Sequence, residues 1–221
     1  MKKTDKTQVP EKTGKVQKAG GNTKSRGTDG KVSVSLEKNE AWIKERCANC
    51  ADIMMHKMYL GREADVAALL VFGEVTVTNT LLEDSLIGKM MNELREVPSG
   101  ELAGVLDSNA LGVADTIAYE DRELALAALL AGNAVLFLDG YPKAVKIASK
   151  GYPAMVVQKA DTEKALRGSR ESFTESVKLN EALVRKRIRN TGLKVEEITL
   201  GKRSATVTAL VYMEDLIYPE I

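Results

Sequence analysis

The chain has 221 residues, 44% hydrophobic and 29% charged, with a net charge of +1. That composition suits a globular protein of one large or two small domains, and no run holds the ~18 apolar residues of a membrane helix. Two cysteines and a single histidine exclude a disulfide framework, a His-centred triad and a His-rich metal site.

The charge is unevenly spread. Residues 1–31 carry nine Lys/Arg and three acids, so the remainder is mildly acidic. This Lys-, Gly- and Thr-rich arm has almost nothing to bury, and a disordered basic tail is expected over 1–34. Without aromatics or clustered Arg it reads as a solvated spacer rather than a nucleic-acid or lipid contact. It lacks the apolar run of a secretory signal.

Ser35 is placed to cap a helix from Leu36 to about Ala48, with Leu36, Ala41, Ile43 and Cys47 inward and Trp42 at the edge. Asp52–Leu60 and Val66–Phe72 form a hairpin around Gly61-Arg62-Glu63, and the almost wholly apolar second strand belongs inside a sheet. An amphipathic helix follows from Thr80 to Leu94, then an unassigned stretch from Pro98 to Asn109. A short helix from Arg122 to Ala131 stops at Gly132, and Ala134–Leu138 with Ala144–Ser149 make a second hairpin at Asp139-Gly140. Met155–Gln158 is read as a further strand.

Arg167 to Lys194 is the most informative stretch. Ser172 and Glu175 have the spacing of a capping box. Phe173, Val177, Asn180, Val184 and Ile188 step along one helical face, Lys178, Arg185, Lys186 and Arg189 along the wet one, and Asn190-Thr191-Gly192 ends the helix. Leu193–Leu200 and Ala205–Met213 form a third hairpin around Gly201-Lys202-Arg203.

The chain repeats itself. NEAWIKER at Asn39–Arg46 matches NEALVRKR at Asn180–Arg187, and the hairpin that follows each helix shares a Leu-Gly turn, at Leu60 and Leu200. The expected architecture is therefore mixed α/β (α+β): two small lobes, each a mixed sheet with flanking helices, separated by a cleft. The first lobe is 35–150 and the second 151–221, the latter lacking a C-terminal helix and left with one bare sheet face. Such a cleft would be a favoured place for a small ligand.

The same stretch carries a family resemblance, through Arg167, Gly168, Arg170, Glu171, Phe173, Thr174, Glu175, Ser176, Asn180, Leu183, Arg185, Arg187 and Ile188. It resembles the signature of the A subunits of bacterial spore germinant receptors, the GerA family, with Ser169 where the family usually has proline and Ser172 in place of a common glycine. The likeness continues more loosely from about Ser35 to the end. It implies the soluble, cytosol-exposed N-terminal domain of a receptor in the spore inner membrane, working with B and C subunits and with other A subunits. Such receptors sense nutrients and trigger exit from dormancy, and membrane attachment would come from a region C-terminal to this chain.

Two functions follow for the site residues. Arg167, Gly168, Arg170, Glu171 and Thr174 precede a helix start, where an anionic group of a nutrient would be favoured; the same Arg and Glu can instead brace the loop. Arg185 and Arg187 are the candidate contacts to other A subunits in a non-ligand-binding oligomerisation or gating module. No enzyme signature, cofactor or metal is expected: there is no P-loop, G-x-S-x-G or H-E-x-x-H. Cys47-Ala-Asn-Cys50 lacks a second ligand pair for zinc and sits at a helix C-terminus, which disfavours a thiolate. Nucleic acid is not an expected partner.

Overall fold

The computed structural model describes residues 30–74, 87–108, 116–148 and 171–218. The elements are α1 (Leu36–Arg46), β1 (Ile53–Leu60), β2 (Val66–Gly73), α2 (Ile87–Glu96), α3 (Leu102–Asp107), β3 (Thr116–Tyr119), α4 (Arg122–Leu130), β4 (Ala134–Leu138), β5 (Ala144–Ile147), α5 (Val177–Arg187), β6 (Leu193–Leu200) and β7 (Thr206–Met213). The basic arm to residue 29, the start of the helix expected from Thr80, the strand expected at Met155–Gln158 and the lobe boundary at 150/151 lie outside the described residues.

β1 to β5 form one sheet in the order β1-β2-β4-β5-β3. Every pairing is antiparallel, where mixed sheets were expected. Strand periodicity sends alternate side chains to opposite faces. Ala68, Leu70 and Phe72 of β2 pack with Leu94 of α2 and with Leu102 and Leu106 of α3. Leu69 and Val71 pack with Ile43 of α1 and with Leu126 and Leu129 of α4. With helices on both faces, a strand inside the sheet has no wet side, which is why β2 and β4 read as unbroken apolar runs. All of β4 is buried.

Two elements escaped the sequence reading. The stretch after Pro98 forms a 3₁₀ turn, Ser99–Glu101, and then α3. β3 is a four-residue strand at the sheet edge, beside β5. Ser35 precedes α1 as expected but its hydroxyl makes no cap; Asp139, from the β4–β5 turn, accepts the Leu36 N–H at 2.9 Å instead.

The internal repeat is visible as geometry. Asn39 Oδ1 accepts from Ser33 N–H at 2.8 Å and its Nδ2 donates to the Ser33 carbonyl at 2.7 Å. Asn180 does the same to Thr174, at 2.7 and 2.8 Å. Each clamp precedes an 11-residue helix. Each helix leads to a hairpin of eight residue pairs, Ile53↔Gly73 to Leu60↔Val66 and Leu193↔Met213 to Leu200↔Thr206. Both turns open on a glycine with positive φ, 87° at Gly61 and 84° at Gly201, a conformation that disfavours any side chain.

The two units meet along a seam. Ala51 N–H donates to the Val195 carbonyl at 2.9 Å and Val195 N–H to the Asn49 carbonyl at 2.8 Å. Lys194 Nζ reaches the Ala48 carbonyl at 2.9 Å. Between Ile53, Leu129, Leu130 and Ala182 the remaining cavity is about 10 Å³, room for about one water molecule. Among the described residues this junction is thus a closed seam, not the open, ligand-sized cleft expected.

Candidate functional site

Residues 171–175 do not begin the helix. Ser176, not Ser172, is the N-cap of α5, accepting from Leu179 N–H at 3.4 Å. The capping-box spacing fails because Asn180 binds both the N–H and the carbonyl of Thr174, and Thr174 Oγ1 in turn accepts the Ser176 N–H at 3.2 Å. The approaching segment instead runs back along the helix, so that Glu171 pairs with Lys186 at 2.8 Å and Arg187 at 2.5 Å near its far end. Those two cations hold the Glu171 carboxyl below its ordinary range.

Of the expected ligand residues, Arg167, Gly168 and Arg170 lie outside the described residues. Glu171 is engaged with the basic end of α5, and Thr174 with Asn180. Of the two expected contact residues, Arg187 is exposed beside Glu171. Arg185 requires correction: it is buried and faces inward. Its Nε and one terminal nitrogen meet both oxygens of Asp52 at 2.6 and 2.9 Å, and two further N–H groups donate to the Asn190 and Leu193 carbonyls at 2.7 and 2.9 Å. A guanidinium with its donors so used is a structural clamp, unavailable to a neighbouring subunit.

The sequence reading missed a groove of about 780 Å³ between α5 and β7. Val177, Val184 and Ile188 of the helix and Ala209 and Val211 of the strand line it, with Phe173 at one side. Phe173 is 69% exposed, so the helical stripe expected to end in the core ends at this opening. Glu181 also lines the groove. It is only 2% exposed, and neither carboxylate oxygen has a hydrogen-bond partner. Burial, reinforced by the nearby Glu197 charge, pushes its carboxyl up to about 7.

The repeat explains why Glu181 stands unpaired. Its counterpart Glu40 is held by Lys44 and Lys57, both at 2.7 Å. In the second unit Lys44 becomes Arg185, which turns to Asp52, and Lys57 becomes Glu197, which pairs with Lys178. One cation is diverted and the other is replaced by an acid. The signal was present in the sequence: the NEA triplet shared by Asn39–Ala41 and Asn180–Ala182 marks the two glutamates as equivalent.

Both cysteines are free and buried. Burial pushes the Cys47 thiol up to about 12 and raises Cys50 as well. Among the described residues no group of His, Cys, Asp and Glu is arranged to hold a metal ion.

A family profile described as Bacillus/Clostridium GerA spore germination protein matches residues 41–221. Spore germination protein KA of Bacillus subtilis (strain 168) is 26% identical over 84% of this chain and 34% of its own length. Uncharacterized membrane protein YfkQ of the same organism is 27% identical over 87% of this chain and 37% of its own. The crystal structure of the N-terminal domain of the A subunit of the Bacillus megaterium spore germinant receptor GerK3 superposes with a TM-score of 0.63 at 22% identity, covering 86% of this chain and 69% of that one. The fold is therefore shared with that domain, while the chain spans about a third of the length of the curated relatives it matches. With the profile running unbroken from α1 through both hairpins, the chain belongs to the GerA family of Bacillus/Clostridium spore germination proteins.

Proposed function

We propose that this chain serves as the N-terminal domain of a spore germinant receptor A subunit and takes part in the signalling by which nutrients trigger germination. The observation that carries the reading is the family match over residues 41–221 together with a fold shared with such a domain. The domain acts on the cytosolic side of the spore inner membrane, in a receptor with B and C subunits and further A subunits. In keeping with a place outside the bilayer, no helix among the described residues is long and apolar enough to cross it. The role is non-catalytic.

How the domain takes part admits two readings. In the first, a nutrient binds it directly, at the segment from Arg167 to Thr174. In the second, it is an assembly or gating module that transmits a change sensed elsewhere. A cavity of about 10 Å³ leaves no room for a nutrient at the seam itself, so the first reading rests on the segment from Arg167 to Thr174 alone. Titration with amino acids, sugars and nucleosides separates them by NMR: amide shifts at 171–174 support direct binding, and their absence supports the assembly role. Under the assembly role, an Arg187→Glu receptor loses nutrient-triggered germination although the domain stays folded. A normal response in that strain, with amide shifts also absent, counts against both.

A further inference from the structure

Glu181 sits where the two units meet. Two acids of the first unit act on it: Asp52, just before β1, and Glu74, just after β2. They are tied together by the Glu74 N–H, which donates to the Asp52 carbonyl at 2.9 Å. The second unit brings Glu197 of β6 and, on the same helix as Glu181, Lys178 and Arg185. β7 presents Ala209 and Val211.

Among these described residues four carboxyls share two cations. Arg185 is committed to both oxygens of Asp52. Lys178 crosses the seam, meeting Glu74 at 2.5 Å while it also pairs with Glu197. Glu181 is left over, 2% exposed and with neither oxygen partnered. Its counterpart Glu40 differs in kind: Lys44 and Lys57 hold it charged, with its carboxyl below the ordinary range.

A neutral Glu181 is compatible with this arrangement and an ionised one is not. As an anion it faces Asp52 and Glu74 across the seam and Glu197 beside it, with burial denying it water. The nearest relief is Lys178, three residues earlier on the same helix and so within reach. A lysine drawn to Glu181 is drawn away from Glu74, and the ion pair across the seam gives way.

We propose that Glu181, Lys178 and Glu74 form a proton-operated latch between the two units. With Glu181 protonated, Lys178 holds Glu74 and the seam is shut. When Glu181 gives its proton to water, Lys178 turns to it and the seam loosens. The shut form binds the proton more tightly than the open one: shut, Glu181 titrates at about 7, and exposed to water it returns toward its ordinary 4.5. The shut seam is therefore fully favoured below 4.5 and loses that advantage as pH rises through 7. The latch is a property of the seam, whatever the domain senses.

Ala51 and Val195 donate their N–H groups across the seam, so their amide exchange reads the latch when it is corrected for intrinsic rate and measured below the urea transition. From pH 6 to pH 8 their protection is expected to fall by roughly tenfold. Glu181→Gln, which cannot ionise, is expected to stay protected at both. Glu74→Gln removes the far end of the latch. It is expected to lower seam protection by roughly threefold at pH 6 and to change nothing at pH 8, where Lys178 has already left. The pH step is also expected in a polypeptide carrying whatever coding sequence follows Ile221. Four results overturn the proposal: equal seam protection at pH 6 and pH 8, a pH step that survives in Glu181→Gln, a pH step lost in the longer polypeptide, or a Glu74→Gln effect of the same size at both pH values. The last would mark a carboxyl that titrates in place without moving Lys178.

Discussion

Arg185 and Asp52, 133 residues apart in sequence, form a two-pronged ion pair at 2.6 and 2.9 Å in the buried seam between the two units. Neither charge has water to return to if the other is lost. Removing one partner of such a pair costs roughly 3–5 kcal/mol. Asp52→Ala and Arg185→Met are each expected to lose about that much in urea denaturation, and the double variant to lose much less than their sum. Additive losses would show that the pair is not coupled. Arg185→Lys is expected to behave nearly as badly as Arg185→Met, because a lysine cannot also hold the Asn190 and Leu193 carbonyls.

The carboxyl of Glu181 makes stability fall as pH rises. In the folded chain it keeps its proton up to about 7, against an ordinary value of 4.5. Between those values the folded state binds more protons than the unfolded one, so stability is fully present below 4.5 and is lost as pH rises through 7. Glu181→Gln removes this slope. It is expected to be more stable than the parent by roughly 1–3 kcal/mol at pH 8 and little different at pH 4.5. Denaturation midpoints at the two pH values check it.

Asn39 and Asn180 hold equivalent backbone clamps, yet the first is buried and the second half-buried. Alanine at either position leaves a backbone N–H and carbonyl without their partner. Asn39→Ala is expected to cost on the order of 2–3 kcal/mol and Asn180→Ala about 1 kcal/mol, because water reaches the second clamp. Thermal melts give the stabilities, and exchange at the Ser33 and Thr174 amides gives the local loosening. Equal losses would contradict the difference in burial.

Both thiols are expected to resist modification at pH 8. With Cys47 pushed up to about 12 and Cys50 raised by burial, an aromatic disulfide reagent should label neither cysteine in native protein and both in urea. Rapid native labelling of one would show an activated thiolate and reopen a redox role for Cys47-Ala-Asn-Cys50.

Much of the fold was legible because its signals are local. The apolar run of β2, the hairpin turns at Gly61 and Gly201 and the Gly132 stop after α4 each depend on neighbours in sequence. The failures were non-local or weak. Arg185 reads as a wet helical residue until Asp52 is brought to it from another element. Ser172 and Glu175 satisfy a capping pattern that the Asn180 clamp overrides. Ser99, Gly100 and Gly104 disguise the turn leading into α3 and the helix itself, and β3 is too short to show a period. In the candidate site Glu181 could be found only by reading the second unit against the first, since one buried carboxylate looks like any other on a charged helix.

The strand order carries a consequence for synthesis. β2 meets β1 across a five-residue turn, yet its other edge waits for β4, which leaves the ribosome only after α2, α3, β3 and α4. Until then Leu69, Leu70 and Val71 sit on an unpaired rim, an invitation to chain-to-chain association in a crowded nascent pool. Productive maturation of the first unit is thus gated by the arrival of Ala134–Leu138, and truncations ending before that point should be recovered as aggregates, not as smaller folded pieces.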